Sequence, residues 1–119
     1  MIGSVLVVDD DPVFRELAGR LLAASGLTVV GEADSVVAAR EAVVRLEPSA
    51  VLLDIELPDG DGITLARELA ALPWRPRVVL TSINGDITTT DEAREAGALA
   101  FVNKADLTIA PLPELLGGG

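Results

Sequence analysis

Five apolar runs rich in valine and leucine fall near residues 4–8, 27–31, 50–54, 77–81 and 99–103. Between them, apolar residues return at helical spacing. Stretches such as Val51-Leu52-Leu53 and Val78-Val79-Leu80 are apolar without alternation, which suits strands covered on both faces. Strand and helix in regular succession predict an α/β fold, a doubly wound five-stranded parallel sheet with crossover helices.

The helix signals differ in strength. Asp11 as N-cap and Pro12 at the first helical position open helix one, which repeats Phe14, Leu17-Ala18 and Leu21-Leu22 before stopping at Gly26. Helix two runs from a Ser35 cap to the residue before Pro48, with Val36, Ala39, Val43 and Leu46 on one stripe. Helix three covers about 62–72 and turns Leu65, Leu69 and Leu72 inward. Helix four begins in Thr88-Thr89-Thr90, whose branched side chains lower helix propensity; Thr89 and Glu92 fit a capping box and Gly97 a C-cap. Pro111 and Pro113 confine any fifth helix to a final turn or two.

Composition narrows the class. The chain has 119 residues, enough for one domain: a folded unit over 1–116 and a glycine tail over 117–119. Nine basic residues against nineteen acidic ones give a net charge of -10, which argues against nucleic acid as a partner. Cysteine and histidine are absent, so any metal must be held by oxygen. No basic, apolar leader precedes the first strand and no run approaches membrane-spanning length, so the expectation is a soluble, cytoplasmic protein.

The polar residues at the strand ends then acquire a meaning. Asp9 and Asp10 follow the first run, Asp54 and Thr81 end the third and fourth, and Lys104 follows the fifth. In a parallel sheet all carboxyl ends lie along one edge, so these side chains should meet in one crevice. Two ionised carboxylates about 5 Å apart at an effective dielectric of about 20 repel by about 3 kcal/mol. A cation would offset that, and Mg2+ fits because it takes one or two carboxylates and accepts a phosphoryl oxygen. Carboxylate, ion, ammonium and hydroxyl together suit phosphorylation of an aspartate. Asp11 reads as a helix cap, Asp59 and Asp61 as turn formers without EF-hand spacing, and Trp74 as a loop residue covering a helix end.

Four segments, Val7-Val8-Asp9-Asp10-Asp11-Pro12, Leu52 to Gly62, Val78 to Ser82 and Ala100 to Lys104, resemble the receiver domains of two-component response regulators, the CheY-like family. The resemblance implies a flavodoxin/CheY-like sheet of strand order 2-1-3-4-5 with a short or irregular fifth helix. It implies that Asp54 accepts a phosphoryl group from a sensor histidine kinase or a histidine phosphotransfer protein. Asp10, Asp54 and the Glu56 backbone carbonyl would hold Mg2+, with Asp9 acting mostly through water. Lys104 would pair with the phosphoryl group, Thr81 would turn to hydrogen-bond it, and Phe101 would be the aromatic switch. The output would be a conformational change read by a downstream protein, with the domain a monomer or a phosphorylation-dependent dimer. It would not be an enzyme, beyond self-phosphorylation from small phosphodonors and autodephosphorylation.

Two features depart from the family pattern: Ala105 stands where proline often follows the lysine, and Glu56 and Ile83 sit where side chains tune access of hydrolytic water. Other readings are a receiver-like interaction module working without phosphorylation, the receiver part of a transcription factor, and a haloacid-dehalogenase-type phosphohydrolase. The last lacks its second aspartate two residues after Asp54.

Overall fold

The alternation of apolar runs and helical segments is realised in a computed structural model that describes residues 3–84 and 87–118. The strands are β1 (Ser4–Val8), β2 (Thr28–Ala33), β3 (Ala50–Asp54), β6 (Arg77–Ser82) and β7 (Ala100–Asn103), with a two-stranded hairpin, β4 (Glu56–Leu57) and β5 (Gly60–Asp61), between β3 and β6. The main sheet has the order β2-β1-β3-β6-β7, and all its pairings are parallel. Counting its five strands alone, this is the expected 2-1-3-4-5.

The helices are α1 (Pro12–Ala24), α2 (Val36–Leu46), α3 (Gly62–Ala70), α4 (Ile87–Glu95) and α5 (Leu112–Gly117), with a 3-10 turn over Lys104–Asp106. Successive residues of a strand face opposite sides, and each side has its own core. Val5, Val7, Ala50, Leu52 and Val79 pack with Phe14, Ala18 and Leu22 of α1 and Leu112 and Leu116 of α5. Leu6, Val8, Val51, Leu53, Val78 and Leu80 pack with α2, α3 and α4 on the other face. This is the doubly wound arrangement. Truncating a fully buried leucine such as Leu22 to alanine would cost about 2–5 kcal/mol.

Local chemistry sets the ends of the helices. Asp11 and Ser35 cap α1 and α2, accepting from the Val13 and Ala38 amides. At the end of α1, Gly26 donates to the Ala23 carbonyl and Leu27 to that of Leu22; at the end of α4, Gly97 donates to Arg94 and Ala98 to Ala93. Both are Schellman ends, and both glycines take the left-handed backbone this requires, with φ of 82° and 89°. Glu47 ends α2 with φ of 43°, because the following Pro48 disfavours a helical residue before it.

Several boundaries differ from expectation. β2 starts at Thr28 because Leu27 belongs to the α1 cap, and it continues to Ala33. β7 starts at Ala100. α3 stops at Ala70, leaving Leu72 half-buried in the turn beyond it. α4 starts at Ile87, so Thr89 lies within the helix and is not its N-cap. Among the described side chains of α4, only Ala93 is buried. An alanine in place of a leucine forgoes three carbons of burial, about 2 kcal/mol, so the described side chains of α4 bury little apolar surface. α5 is short, as the prolines dictate, and Gly117 is its last residue.

Candidate functional site

Strand register assembles the crevice. Val8 pairs with Leu53 in β1 and β3, so Asp9 and Asp54 follow side by side. Asp54 pairs directly with Thr81 across β3 and β6, and Ser82 pairs with Asn103, placing Lys104 at the next position along. One ligand oxygen from each of Asp9, Asp10 and Asp54 lies within 4.8 Å of the others.

The three carboxylates are held differently. Asp9 is fully buried: its Oδ1 accepts from the Asp11 amide at 2.9 Å, and its Oδ2 lies 2.7 Å from Lys104 Nζ. That second contact is an ion pair without the alignment of a hydrogen bond. Asp10 is exposed and makes no hydrogen bond or ion pair among the described residues. Asp54 is buried; its Oδ1 accepts from the Glu56 amide at 3.1 Å and its Oδ2 from Lys104 Nζ at 3.3 Å.

Burial pushes Asp54 above the usual carboxylate range, opposed by the Glu56 N–H, reinforced by the Asp9 charge and opposed again by Lys104. Burial would pull Lys104 down, but its contacts with Asp9 and Asp54 outweigh this and hold the ammonium above the ordinary lysine value. Thr81 is buried, and its hydroxyl has no hydrogen-bond partner among the described residues. Phe101 is half-buried on β7 and packs against the core cluster under α2, α3 and α4.

The loop after Asp54 is fastened at several points. The Gly62 amide donates to the Ile55 carbonyl at 2.7 Å, and a Cβ on Gly62 would stand 2.2 Å from the Asp54 carbonyl oxygen and 2.7 Å from the Ile55 Cα. Only glycine lets α3 start this close to the acceptor strand. Asp61 caps α3 through the Ile63 amide. Asp59 accepts from the amides of Val36 (2.7 Å) and Val37 (3.1 Å) at the start of α2, and these bonds lower its carboxyl below the usual range. Both aspartates therefore cap helices, which corrects their reading as turn formers alone. The Glu56 carboxylate accepts a 3.4 Å bond from the Ser82 hydroxyl.

The oxygen donors suit a hard divalent ion: three carboxylates converge, one of them exposed and uncommitted, and a single lysine faces the two buried ones. The residues present fit Mg2+.

The sequence profile described as the response regulator receiver domain matches residues 5–109. The chain belongs to that family. This receiver domain is 36% identical over 108 residues to protein-glutamate methylesterase/protein-glutamine glutaminase 2 of Xanthomonas oryzae pv. oryzae, covering 89% of this chain and 30% of the relative. It is 41% identical over 102 residues to a protein of the same description, numbered 4, from Myxococcus xanthus, covering 84% of this chain and 29% of that one. The chain thus spans about a third of the length of these curated relatives.

Among solved structures, the BeF3-activated N-terminal receiver domain of RstA from Klebsiella pneumoniae superimposes with a TM-score of 0.78 at 32% identity, covering 94% of this chain and 92% of that one. A two-component response regulator of the LuxR family from Aurantimonas sp. gives 0.84 at 28% identity, covering 97% and 86%. Among the described residues of this receiver domain, no helix is long and apolar enough to cross a membrane.

Two residues that touch the site were not legible as such. The Phe14 ring centroid lies 4.5 Å from Lys104 Nζ, a cation–π contact on the ammonium that faces Asp9 and Asp54. Arg15 donates to the Asp9 carbonyl. Phe14 reads as core from its spacing, and nothing in the pattern singles out Arg15. Only the folded backbone brings them to the crevice.

Proposed function

We propose that this receiver domain accepts a phosphoryl group on Asp54 from a phosphohistidine of a sensor histidine kinase or histidine phosphotransfer protein. It uses Mg2+ and signals to a downstream protein through a conformational change. The observation that carries this reading is the buried hydroxyl of Thr81, the residue paired with Asp54 across the sheet, which has no hydrogen-bond partner among the described residues. An unsatisfied buried hydroxyl costs about 1–3 kcal/mol. A phosphoryl oxygen on Asp54 offers it an acceptor, so the modified state gains a bond that the unmodified state lacks.

Asp10 and Asp54 would hold the ion directly with the Glu56 carbonyl, and Asp9, its oxygens engaged by Asp11 and Lys104, would act through water. Bound there, the ion neutralises charge on the acceptor and on the incoming phosphoryl group. An Asp54 oxygen forms the O–P bond as the donor's N–P bond breaks, the imidazole nitrogen keeping the electron pair. Lys104 exchanges its contact with Asp54 Oδ2 for a phosphoryl oxygen, and Thr81 turns to donate to another. Phe101 then occupies the space the threonine leaves, and α4 and β7 form the surface that changes.

The domain is a phosphoacceptor in the cytoplasm, a monomer or a phosphorylation-dependent dimer. It is not a turnover enzyme beyond self-phosphorylation and autodephosphorylation. The partial coverage of the methylesterase relatives favours a second form of the same output, in which the downstream target is an effector domain joined to a receiver. Incubation with Mg2+ and acetyl phosphate should give one alkali-labile phosphoryl adduct, seen by intact mass and absent in Asp54→Ala. No adduct on the unaltered protein, or an undiminished adduct in Asp54→Ala, overturns the reading.

A further inference from the structure

Arg15 lies in the second turn of α1 with its side chain only 19% exposed. Its Nη1 donates to the Asp9 backbone carbonyl at 2.7 Å, and its Nε donates to Glu32 Oε1 of β2 at 2.8 Å. A surface ion pair between arginine and glutamate contributes little by itself. The use of the other arm of the guanidinium is more informative.

Asp9 is restrained at four atoms. Its amide donates to the Ala33 carbonyl at 3.0 Å, its Oδ1 accepts from Asp11, its Oδ2 meets Lys104, and its carbonyl oxygen accepts from Arg15. The first three fix Asp9 itself. The fourth acts on the peptide joining Asp9 to Asp10, which is a rigid plane. Turning that plane turns the chain on which Asp10 is mounted, and the Asp10 carboxylate has no partner among the described residues to orient it. The bond to Arg15 is charge-assisted and therefore among the stronger hydrogen bonds.

We propose that Arg15 is a positioning residue for divalent-cation binding: it locks the Asp9–Asp10 peptide so that the Asp10 carboxylate faces the crevice, while Glu32 holds the guanidinium in place. The inference rests on the Mg2+ reading above. A lysine at this position has one nitrogen at its tip and cannot serve both acceptors with the fixed fork of a guanidinium. Removing an outer partner that orients a metal ligand weakens the metal by about tenfold or more.

The test is calorimetric titration of Mg2+ into the unaltered domain, Arg15→Lys and Glu32→Gln, with amide and carbonyl NMR shifts of Asp9 and Asp10 followed alongside. Arg15→Lys should weaken Mg2+ about tenfold and move the Asp9 and Asp10 signals, while acetyl phosphate adduct yield returns to normal at saturating Mg2+. Glu32→Gln should weaken Mg2+ in the same direction by a smaller factor. Should Arg15→Lys fail to fold, Glu32→Gln decides the matter alone. Affinity within twofold of the unaltered domain in the folded variants overturns the inference and leaves the phosphoacceptor reading intact. An unaltered domain that binds no Mg2+ overturns both.

Discussion

Asp54 carries its charge where burial makes charge costly, and the cost is borne whenever no cation or phosphoryl group is present. Asp54→Asn keeps the shape and can still accept from the Glu56 amide. In EDTA at neutral pH the variant should be more stable by about 1 kcal/mol, read as a higher melting temperature, and it should form no phosphoryl adduct. Lower stability would mean that the contact with Lys104 outweighs the burial of the carboxylate. Asp9, Asp10, Asp54, Thr81 and Lys104 were legible because each stands at or just after the end of an apolar run, and parallel register does the rest. Phe14 was not: it meets Lys104 only through tertiary packing, and no local pattern announces that.

At the scale of elements, α2 has two caps: its own Ser35, and Asp59, 23 residues further along the chain from Val36. The Asp59 carboxyl is held below its ordinary range in the folded state, so the unfolded chain takes up its proton first as pH falls. Its contribution is present in full above the ordinary carboxylate range and is lost as pH drops through the lowered folded value. Asp59→Asn should therefore lower the urea midpoint at pH 7, and the gap from the unaltered protein should shrink toward acid. A gap independent of pH would show that the charge is immaterial. α4 makes a different prediction: with Ala93 the one buried side chain among those described, its amides should exchange with deuterium orders of magnitude faster than those of β1 and β3. The order of elements and both cap residues of α1 and α2 were readable from spacing and cap chemistry. The starts of β2 and α4 were not, because a Schellman end claims Leu27 and because helical winding began upstream of the residue suited to cap it.

For the whole molecule, a net charge of -10 and a crevice of three carboxylates make divalent cations a source of stability. Mg2+ at a hundred times its Kd should raise the unfolding free energy by about 2.7 kcal/mol, reversibly with EDTA and much less in Asp10→Asn. Equal melting temperatures with and without Mg2+ would remove the cation from the account. Two glycines of this fold have opposite futures under mutation. Gly19, inside α1, has nothing within 4 Å of where a Cβ would sit, so alanine there should add about 0.5–1 kcal/mol. Gly62 has backbone at 2.2 Å. In a library of all substitutions selected for folding, position 19 should drift freely while position 62 returns one letter, a lineage constraint imposed by a hydrogen atom's worth of room.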